Sequence, residues 1–170
     1  LPPTPSPVPS PVPHPAPSPK FTIAICTWNR AALLARTLEQ LTRIDAGPIA
    51  WEVVVIDNGS PDATPDVLAA FASRLPLRFG RESRQGLAHA RNAAVDLARG
   101  EFIAWTDDDV LVEPDWLGAY AAALDDDPAA HFLGGPILPW FDGKPPAWLE
   151  AALPRIGNAF ALLDLGPEPF

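Results

Sequence analysis

The stretch EFIAWTDDDV, residues 101–110, places three adjacent carboxylates directly after an apolar run. A short apolar run rich in aromatic and β-branched residues, with Gly100 before it, predicts a buried parallel strand. The carboxyl ends of such strands are where α/β sheets bind ligands. Because adjacent carboxylates repel one another, they indicate a divalent cation or a set of hydrogen-bond donors, and oxygen ligands favour magnesium, manganese or calcium over zinc. The alternative is a solvated acidic turn that caps the following helix.

Strand and helix patterns alternate upstream of this stretch. Strands are predicted at residues 21–27, 51–57 and 77–79, and helices directly after Arg30, at residues 63–74 and at residues 87–99. The first helix repeats apolar side chains at spacings of four and three, at Leu34, Leu38 and Leu41. Strands and helices that alternate in this way form βαβ units. We therefore expect an α/β fold with a mostly parallel sheet flanked by helices.

The helix at residues 87–99 carries a face of Leu87, Ala90, Ala94 and Leu97, which is small enough to pack closely on a sheet. Gly100 is predicted to cap its carboxyl end.

Downstream of the acidic stretch the pattern weakens. A fourth helix is predicted with Pro114 in its first turn and an end at residues 125–128. Residues 131–138 predict a fifth strand interrupted by glycines, and residues 148–153 predict a short helix.

The first nineteen residues differ in composition from the rest of the 170-residue chain. Ten of the nineteen are proline, and no charged residue occurs before Lys20. Such a segment is too poor in large apolar residues to fold alone, so residues 1–19 are interpreted as a proline-rich tail or linker. Residues 20–170 are expected to form one domain.

Charge and cysteine content exclude several classes of protein. The net charge of −9 is unfavourable for binding nucleic acid. The single cysteine, Cys26, allows no disulfide within the chain. No apolar run of about 18 residues is present. These features predict a cytoplasmic protein, free or at the inner face of the membrane, with no membrane segment in this chain.

Polar residues follow three of the predicted strands, at residues 27–30, 57–62 and 107–109. Because the carboxyl ends of parallel strands lie at one edge of a sheet, we expect these residues to be neighbours.

This edge has the groups that a nucleoside diphosphate needs. Asp57 and Asp107 could accept hydrogen bonds from a base or ribose, Arg84 and Arg91 could meet phosphates, and Asp109 could hold a metal. Two alternatives stay open: Asp57 serves only to form its turn, and Arg91 only pairs with an acidic neighbour on its helix.

Four motifs carry a family resemblance. They are Thr27-Trp28-Asn29-Arg30, Val54-Val55-Ile56-Asp57-Asn58-Gly59-Ser60-Pro61-Asp62, Gly86 with Ala90-Arg91-Asn92, and Asp107-Asp108-Asp109. In this order and spacing, residues 20–140 resemble the nucleotide-binding half of a family-2 glycosyltransferase.

The resemblance implies a GT-A (Rossmann-like) fold and a metal-dependent, inverting transfer of a sugar from a UDP- or GDP-linked donor to an acceptor hydroxyl. By position, Asp57 would bind the base or ribose, Asp107 the ribose or metal, and Asp109 a Mg²⁺ or Mn²⁺ ion. The other positions implied to line the nucleotide pocket are Thr27, Asn29, Arg30, Arg91 and Asp108.

The chain departs from the family pattern after the acidic motif. An inverting transfer needs a general base on the sugar face opposite the leaving group. No later carboxylate of this chain matches the family's pattern for that base, which is therefore expected beyond Phe170 together with the acceptor-binding half. The acceptor, whether saccharide, lipid-linked or protein, is not indicated.

Two other functions remain as alternatives. Asp107 and Asp109 also match the nucleophile and acid/base of haloacid-dehalogenase-like phosphatases, although that family carries the motif on its first strand. A nucleotide-sugar-binding module without catalytic activity is the second alternative. The chain has no glycine-rich Gly-x-Gly-x-x-Gly loop, which disfavours a dinucleotide-binding oxidoreductase.

Overall fold

The computed structural model describes residues 18–157 and Leu162. The predicted proline-rich tail lies outside these residues, apart from Ser18 and Pro19. The chain divides into two compact units, one ending at Ala121 and the other beginning at Ala122. Within the described residues, no helix is both long enough and apolar enough to cross a membrane.

Nine regular elements follow one another in the described part of the chain. The strands are β1 (Phe21–Thr27), β2 (Trp51–Asp57), β3 (Leu77–Arg81) and β4 (Phe102–Trp105). The helices are α1 (Ala31–Leu41), α2 (Thr64–Phe71), α3 (Leu87–Leu97), α4 (Trp116–Asp126) and α5 (Ala147–Ile156). The predicted alternation of strands and helices is confirmed.

The four strands form one parallel sheet in the order β3-β2-β1-β4. Phe21 at the start of β1 lies opposite Trp51 of β2 and Phe102 of β4. The chain first adds strands on one side of β1 and then returns to its other side for β4. This reversal creates a topological switch point between β1 and β4, at whose carboxyl ends open α/β sheets bind ligands.

The two central strands, β1 and β2, are buried along almost their whole length, and most of their side chains are apolar. Helix α3 packs on them through small side chains: Ala90 and Ala94 form a buried cluster with Ala24, Val54 and Ile56. The predicted packing face is confirmed for Ala90 and Ala94, whose small side chains let the helix lie close to the sheet.

Two predictions about α3 are wrong. Leu87 is 53% exposed rather than packed on the sheet. The helix ends at Leu97 and its C-cap is Ala98 in an extended conformation, so Gly100 is not the cap. Gly100 instead lies against the backbone of β1, where an added Cβ would be 2.5 Å from the Thr22 nitrogen. Glycine is required there by close approach rather than by helix capping.

The prediction is also wrong for residues 131–138, where the only strand-like feature is an isolated bridge at Ile137. Phe132 in this segment is 85% exposed. Glycine has no side chain to pack and proline has no N–H to donate, so Gly134-Gly135-Pro136 does not support a ladder. The predicted helix at residues 148–153 is confirmed within α5.

Helix α4 begins two residues later than predicted. Pro114 lies in the turn before the helix, which the Trp116 N–H closes by donating to the Glu113 carbonyl at 3.1 Å. Its predicted end is confirmed, because the helix stops at Asp126.

Candidate functional site

A cleft of about 370 Å³ opens at the switch point between β1 and β4. Three segments of the first unit form its walls: the end of β1 with its following loop, the acidic loop after β4, and the start of α3 with the loops before it. Its lining residues are Cys26, Thr27, Trp28, Arg30, Asn58, Gln85, Gly86, Leu87, Ala90, Asp107, Asp108 and Asp109. The sequence-based expectation that the acidic loop and the Thr27 loop meet is therefore confirmed.

A second, smaller cavity of about 160 Å³ shares Cys26, Leu87 and Asp107 with the cleft. It adds Arg91, whose guanidinium lies 5.6 Å from the centre of the Trp105 ring. A cation at this distance from an indole face is attracted by the ring quadrupole. Arg91 and the exposed Asp107 thus line the same cavity.

The three adjacent aspartates have different environments. Asp108 is only 4% exposed, whereas Asp107 and Asp109 are exposed. The Thr27 hydroxyl donates to Asp108 Oδ2 at 2.6 Å, and the Thr37 hydroxyl donates to the Asp108 carbonyl at 2.9 Å. A buried carboxylate requires such donors, since a charge without partners is costly to bury. Asp108 thus joins β1, α1 and the acidic loop, and its two neighbours present their carboxylates to the cleft.

Arg30 bridges two of these aspartates. Its Nη1 atom donates to Asp108 Oδ1 at 3.1 Å and to Asp109 Oδ2 at 2.9 Å. These hydrogen bonds, the one to Asp108 first, raise the pKa of the guanidinium above its ordinary value. Arg30 is therefore a fixed positive charge in contact with the acidic loop.

The loop after β2 is built around Asp57, which sequence analysis assigned to a base or ribose. Its carboxylate is buried; Oδ1 accepts the Ser60 N–H at 2.7 Å, and Oδ2 lies 3.6 Å from Arg81 Nη1. The turn-forming alternative for Asp57 is thus observed. Asn29 has a left-handed backbone with φ of 57°, and its N–H donates to Ser60 Oγ at 2.8 Å. Neither Asp57 nor Asn29 is among the described residues that line the cleft.

Asp62 ties the loop after β2 to α1, a role that the sequence did not reveal. One oxygen accepts the Ala31 N–H at 2.9 Å and the other accepts the Thr64 hydroxyl at 2.6 Å. The Thr64 hydroxyl and then the Ala31 N–H lower the pKa of the Asp62 carboxyl, because both donate to its ionised form. One carboxylate therefore serves the first turns of two helices.

Arg84 forms an ion pair within its own loop. Its guanidinium binds the Glu82 carboxylate at 2.8 Å, and it is not among the described residues lining either cavity. The hydrogen bonds from Arg84 lower the pKa of the Glu82 carboxyl to about 2. Of the two predicted phosphate-binding arginines, only Arg91 lines a cavity.

Asn58 is the main residue of the site that sequence analysis missed as a site residue. Its amide nitrogen donates to the carbonyls of Glu82 at 3.0 Å and Arg84 at 2.7 Å, and its amide oxygen accepts the Gly86 N–H at 2.8 Å. The Asn58 carbonyl accepts the Gln85 amide at 2.7 Å. One buried side chain thus shapes the loop that forms a wall of the cleft. A polar residue at the end of a near-continuous apolar strand was the available signal.

Cys26 lines both cavities, and the reactivity of its thiol reports on its surroundings there. Burial raises the pKa of its thiol to about 11; Arg91 opposes this rise, and Asp107 and Asp108 add to it. Sterically the thiol can be reached from the cleft, but little of it is thiolate at pH 8.

We expect iodoacetamide to alkylate Cys26 in the folded chain at pH 8 roughly tenfold more slowly than in urea, because the smaller thiolate population outweighs the greater nucleophilicity of a more basic thiolate. The rate should rise with pH until about pH 11, as the thiol ionises. Mass spectrometry of timed samples measures it on this single cysteine. Equal rates with and without urea at pH 8 would contradict the assigned environment.

The carboxylates suit a metal that a ligand helps to hold. Residues 18–157 and 162 contain no group of three or more His, Cys, Asp or Glu side chains placed to bind a metal ion. Magnesium and similar hard cations are commonly held by one or two carboxylates, with substrate phosphates and water as the other ligands. The exposed Asp107 and Asp109 carboxylates fit that arrangement, in which the protein supplies only part of the ligand set.

Comparison with known proteins identifies the family to which the chain is related. Residues 22–158 match the family model described as Glycosyl transferase family 2. The chain is 38% identical over 107 residues to the validoxylamine A glucosyltransferase of Streptomyces hygroscopicus subsp. limoneus, an alignment that covers 62% of this chain and 24% of that protein. The chain thus spans about a quarter of the length of this relative.

Solved structures show the same fold. The mannosyltransferase PcManGT from Pyrobaculum calidifontis, in complex with GDP-Man and Mn²⁺, aligns with a TM-score of 0.59 and 34% identity over 68% of this chain and 35% of its own. S. aureus TarS in complex with UDP-GlcNAc aligns with a TM-score of 0.58 and 28% identity over 63% of this chain and 31% of its own. The predicted GT-A fold is confirmed, and the chain belongs to glycosyl transferase family 2.

Proposed function

We propose that the protein transfers a sugar from a UDP- or GDP-linked donor to an acceptor hydroxyl, with inversion and with a divalent metal at the acidic loop. The observation that carries this proposal is that the three adjacent aspartates differ in burial. Asp108 is buried and bound within the protein, while Asp107 and Asp109 are exposed in a cleft at the switch point.

The charges of the cleft suit a diphosphate that arrives with a metal. Asp107 and Asp109 are the proposed ligands of Mg²⁺ or Mn²⁺, while Arg30 and Arg91 supply cations on the same cavities. When bound, the metal would act as a Lewis acid that stabilises the charge developing on the departing diphosphate. PcManGT was solved with GDP-Man and Mn²⁺ and TarS with UDP-GlcNAc, which supports a nucleotide-sugar donor.

The remaining predicted residues are proposed for the nucleoside end of the donor. Asn58 lines the cleft, and its neighbour Asp57 lies at the end of β2 beside the Asn29 loop. A base or ribose that extends from the cleft over this loop would approach Asp57 and Asn29, and Arg84 beyond them.

In the same proposal, Thr27 and Asp108 hold the shape of the pocket through their mutual hydrogen bond. Trp28 is exposed at the cleft and offers an aromatic face to the donor.

The general base for an inverting transfer must lie on the opposite face of the sugar from the diphosphate. Within residues 18–157 and 162, the carboxylates that line the cleft all belong to the acidic loop, on the proposed metal side. We therefore propose that the base is not one of the described carboxylates that line this cleft. The proposed location stays cytoplasmic, free or at the inner face of the membrane.

The phosphatase alternative is not supported, because the Asp107–Asp109 motif follows β4 and the chain belongs to glycosyl transferase family 2. A binding module without activity would keep the same nucleotide site. Detectable donor hydrolysis or sugar transfer by the full-length protein distinguishes the enzyme from such a module.

The first experiment is calorimetric titration with UDP and with GDP, each with and without Mn²⁺. We expect Mn²⁺ to tighten binding of at least one nucleotide by about tenfold or more, or about 1.4 kcal/mol. Asp109→Asn should lose this gain because an amide is a weaker metal ligand than a carboxylate. Asp96→Asn, which changes an exposed aspartate of α3, should keep it. Metal-independent binding, or a gain retained by Asp109→Asn, would refute the proposed metal site.

A further inference from the structure

We propose that Arg30 occupies the Asp109 carboxylate in the absence of the donor, and so makes metal capture depend on the donor's diphosphate. The inference rests on the proposed function and extends it to the order of binding. It starts from one contact: Arg30 Nη1 lies 2.9 Å from Asp109 Oδ2, on the carboxylate proposed to hold the metal.

The position of Arg30 is set by Asp108, which acts as a positioning residue. Asp108 Oδ1 accepts from the same Nη1 atom at 3.1 Å, while Asp108 Oδ2 accepts from Thr27 at 2.6 Å. The Asp108 carbonyl is further held by the Thr37 hydroxyl. Because Asp108 is buried and held from two elements, it gives the half-exposed Arg30 side chain a fixed anchor beside Asp109.

A metal ion and Arg30 compete for Asp109. The guanidinium already satisfies Oδ2, and a divalent ion placed on that oxygen would lie within a few ångströms of a positive charge that does not titrate at neutral pH. Without a nucleotide, metal binding to Asp109 is therefore opposed by Arg30, which must either leave the carboxylate or stay close to a second positive charge. A displaced guanidinium would have lost one of its two carboxylate partners.

A diphosphate removes this obstacle. Its oxygens supply further ligands for the metal and a new bidentate partner for the guanidinium, which matches phosphate geometry well. The metal and the nucleotide are therefore expected to bind with positive coupling, and by linkage each raises the affinity for the other by the same factor. Metal occupancy of the cleft would therefore rise when a donor binds.

Titration of Mn²⁺ followed by electron paramagnetic resonance of the free ion tests this order without measuring activity. In the absence of nucleotide, Arg30→Gln should bind Mn²⁺ roughly fivefold more tightly than the unmodified protein. Arg43→Gln is the charge-matched control: it removes an equal charge from an exposed residue that lines neither cavity. It should raise the Mn²⁺ affinity by much less. Circular dichroism of each variant establishes that it is folded.

The outcomes separate the two proposals. Equal Mn²⁺ affinities for Arg30→Gln and the unmodified protein, or an equal gain in Arg43→Gln, would overturn the role of Arg30. Repeating the titration with UDP or GDP should show strong coupling in the unmodified protein and weaker coupling in Arg30→Gln. If no nucleotide binds to any variant, the proposed donor site fails, while the measurements with Mn²⁺ alone still decide whether Arg30 competes for Asp109.

Discussion

Replacing Gly100 by alanine is expected to lower the free energy of unfolding by about 3 kcal/mol, the upper end of the usual range for overpacking. The added Cβ would lie 2.5 Å from the Thr22 nitrogen and 2.7 Å from the Phe21 carbonyl carbon. Both atoms belong to the backbone of β1, so no side-chain rotation relieves the clash. Either β4 must move away from β1, or the pairing between Phe21 and Phe102 must be strained.

A buried network at the same place increases the expected loss. The Gly100 N–H donates to Thr22 Oγ1 at 2.8 Å, and the Thr22 hydroxyl donates in turn to the buried Glu52 carboxylate at 2.8 Å. The Arg99 N–H also donates to Glu52 at 2.7 Å. A shift of residue 100 therefore disturbs donors to a buried carboxylate, which is costly to leave without partners.

Urea unfolding followed by circular dichroism measures the effect of Gly100→Ala. The matched control is Gly118→Ala, because Gly118 lies within α4 and a Cβ there would meet no atom within 4 Å. This control should leave stability unchanged or raise it by up to about 1 kcal/mol through helix propensity. Equal unfolding midpoints for Gly100→Ala and the unmodified protein would refute the close approach of β1.

Replacing Asn58 by aspartate is expected to destabilise the protein by about 3 kcal/mol at neutral pH. The change is nearly isosteric, but it replaces an amide nitrogen that donates to two carbonyls with a carboxylate oxygen that can only accept. The carbonyls of Glu82 and Arg84 would then face a negative charge at about the same distance. The loop before α3 would lose its anchor, so nucleotide affinity should fall together with stability.

The effect of Asn58→Asp should depend on pH. A protonated carboxyl can donate to one carbonyl and an ionised carboxyl cannot, so folding raises the pKa of the introduced group above its unfolded value of about 4. The penalty is therefore smallest below about pH 4 and grows as pH rises through the folded-state pKa. Urea unfolding at several pH values measures this dependence. Asn92→Asp, on the exposed face of α3, serves as the control, and an equal loss in both variants would contradict the role of Asn58.

Much of the fold could be predicted from the sequence because it depends on local patterns. The apolar run at residues 51–57 predicted β2, which is buried along nearly its whole length. The three- and four-residue spacing of Leu34, Leu38 and Leu41 predicted α1, in which all three are buried. The failure at residues 131–138 has a different origin. Residues 131–138 are apolar enough for a strand, but they form only an isolated bridge, and apolarity alone does not supply a pairing partner.

The sequence by itself determined that polar residues from separate strands meet at one edge of a parallel sheet, because strand polarity and βαβ connectivity leave no other arrangement. It placed Thr27, Arg30, Asp107, Asp108 and Asp109 together correctly.

Only the tertiary structure decided which side chains face the cleft and which are used inside the protein. Asp108 differs from Asp107 and Asp109 because Thr27 and Arg30, some 80 residues earlier in the chain, reach it with hydrogen-bond donors. Asn58 orders the loop before α3 through bonds that span 24 to 28 residues. Burial and donor geometry arise from contacts between distant segments, so three identical residues in a row can be told apart only after the chain has folded.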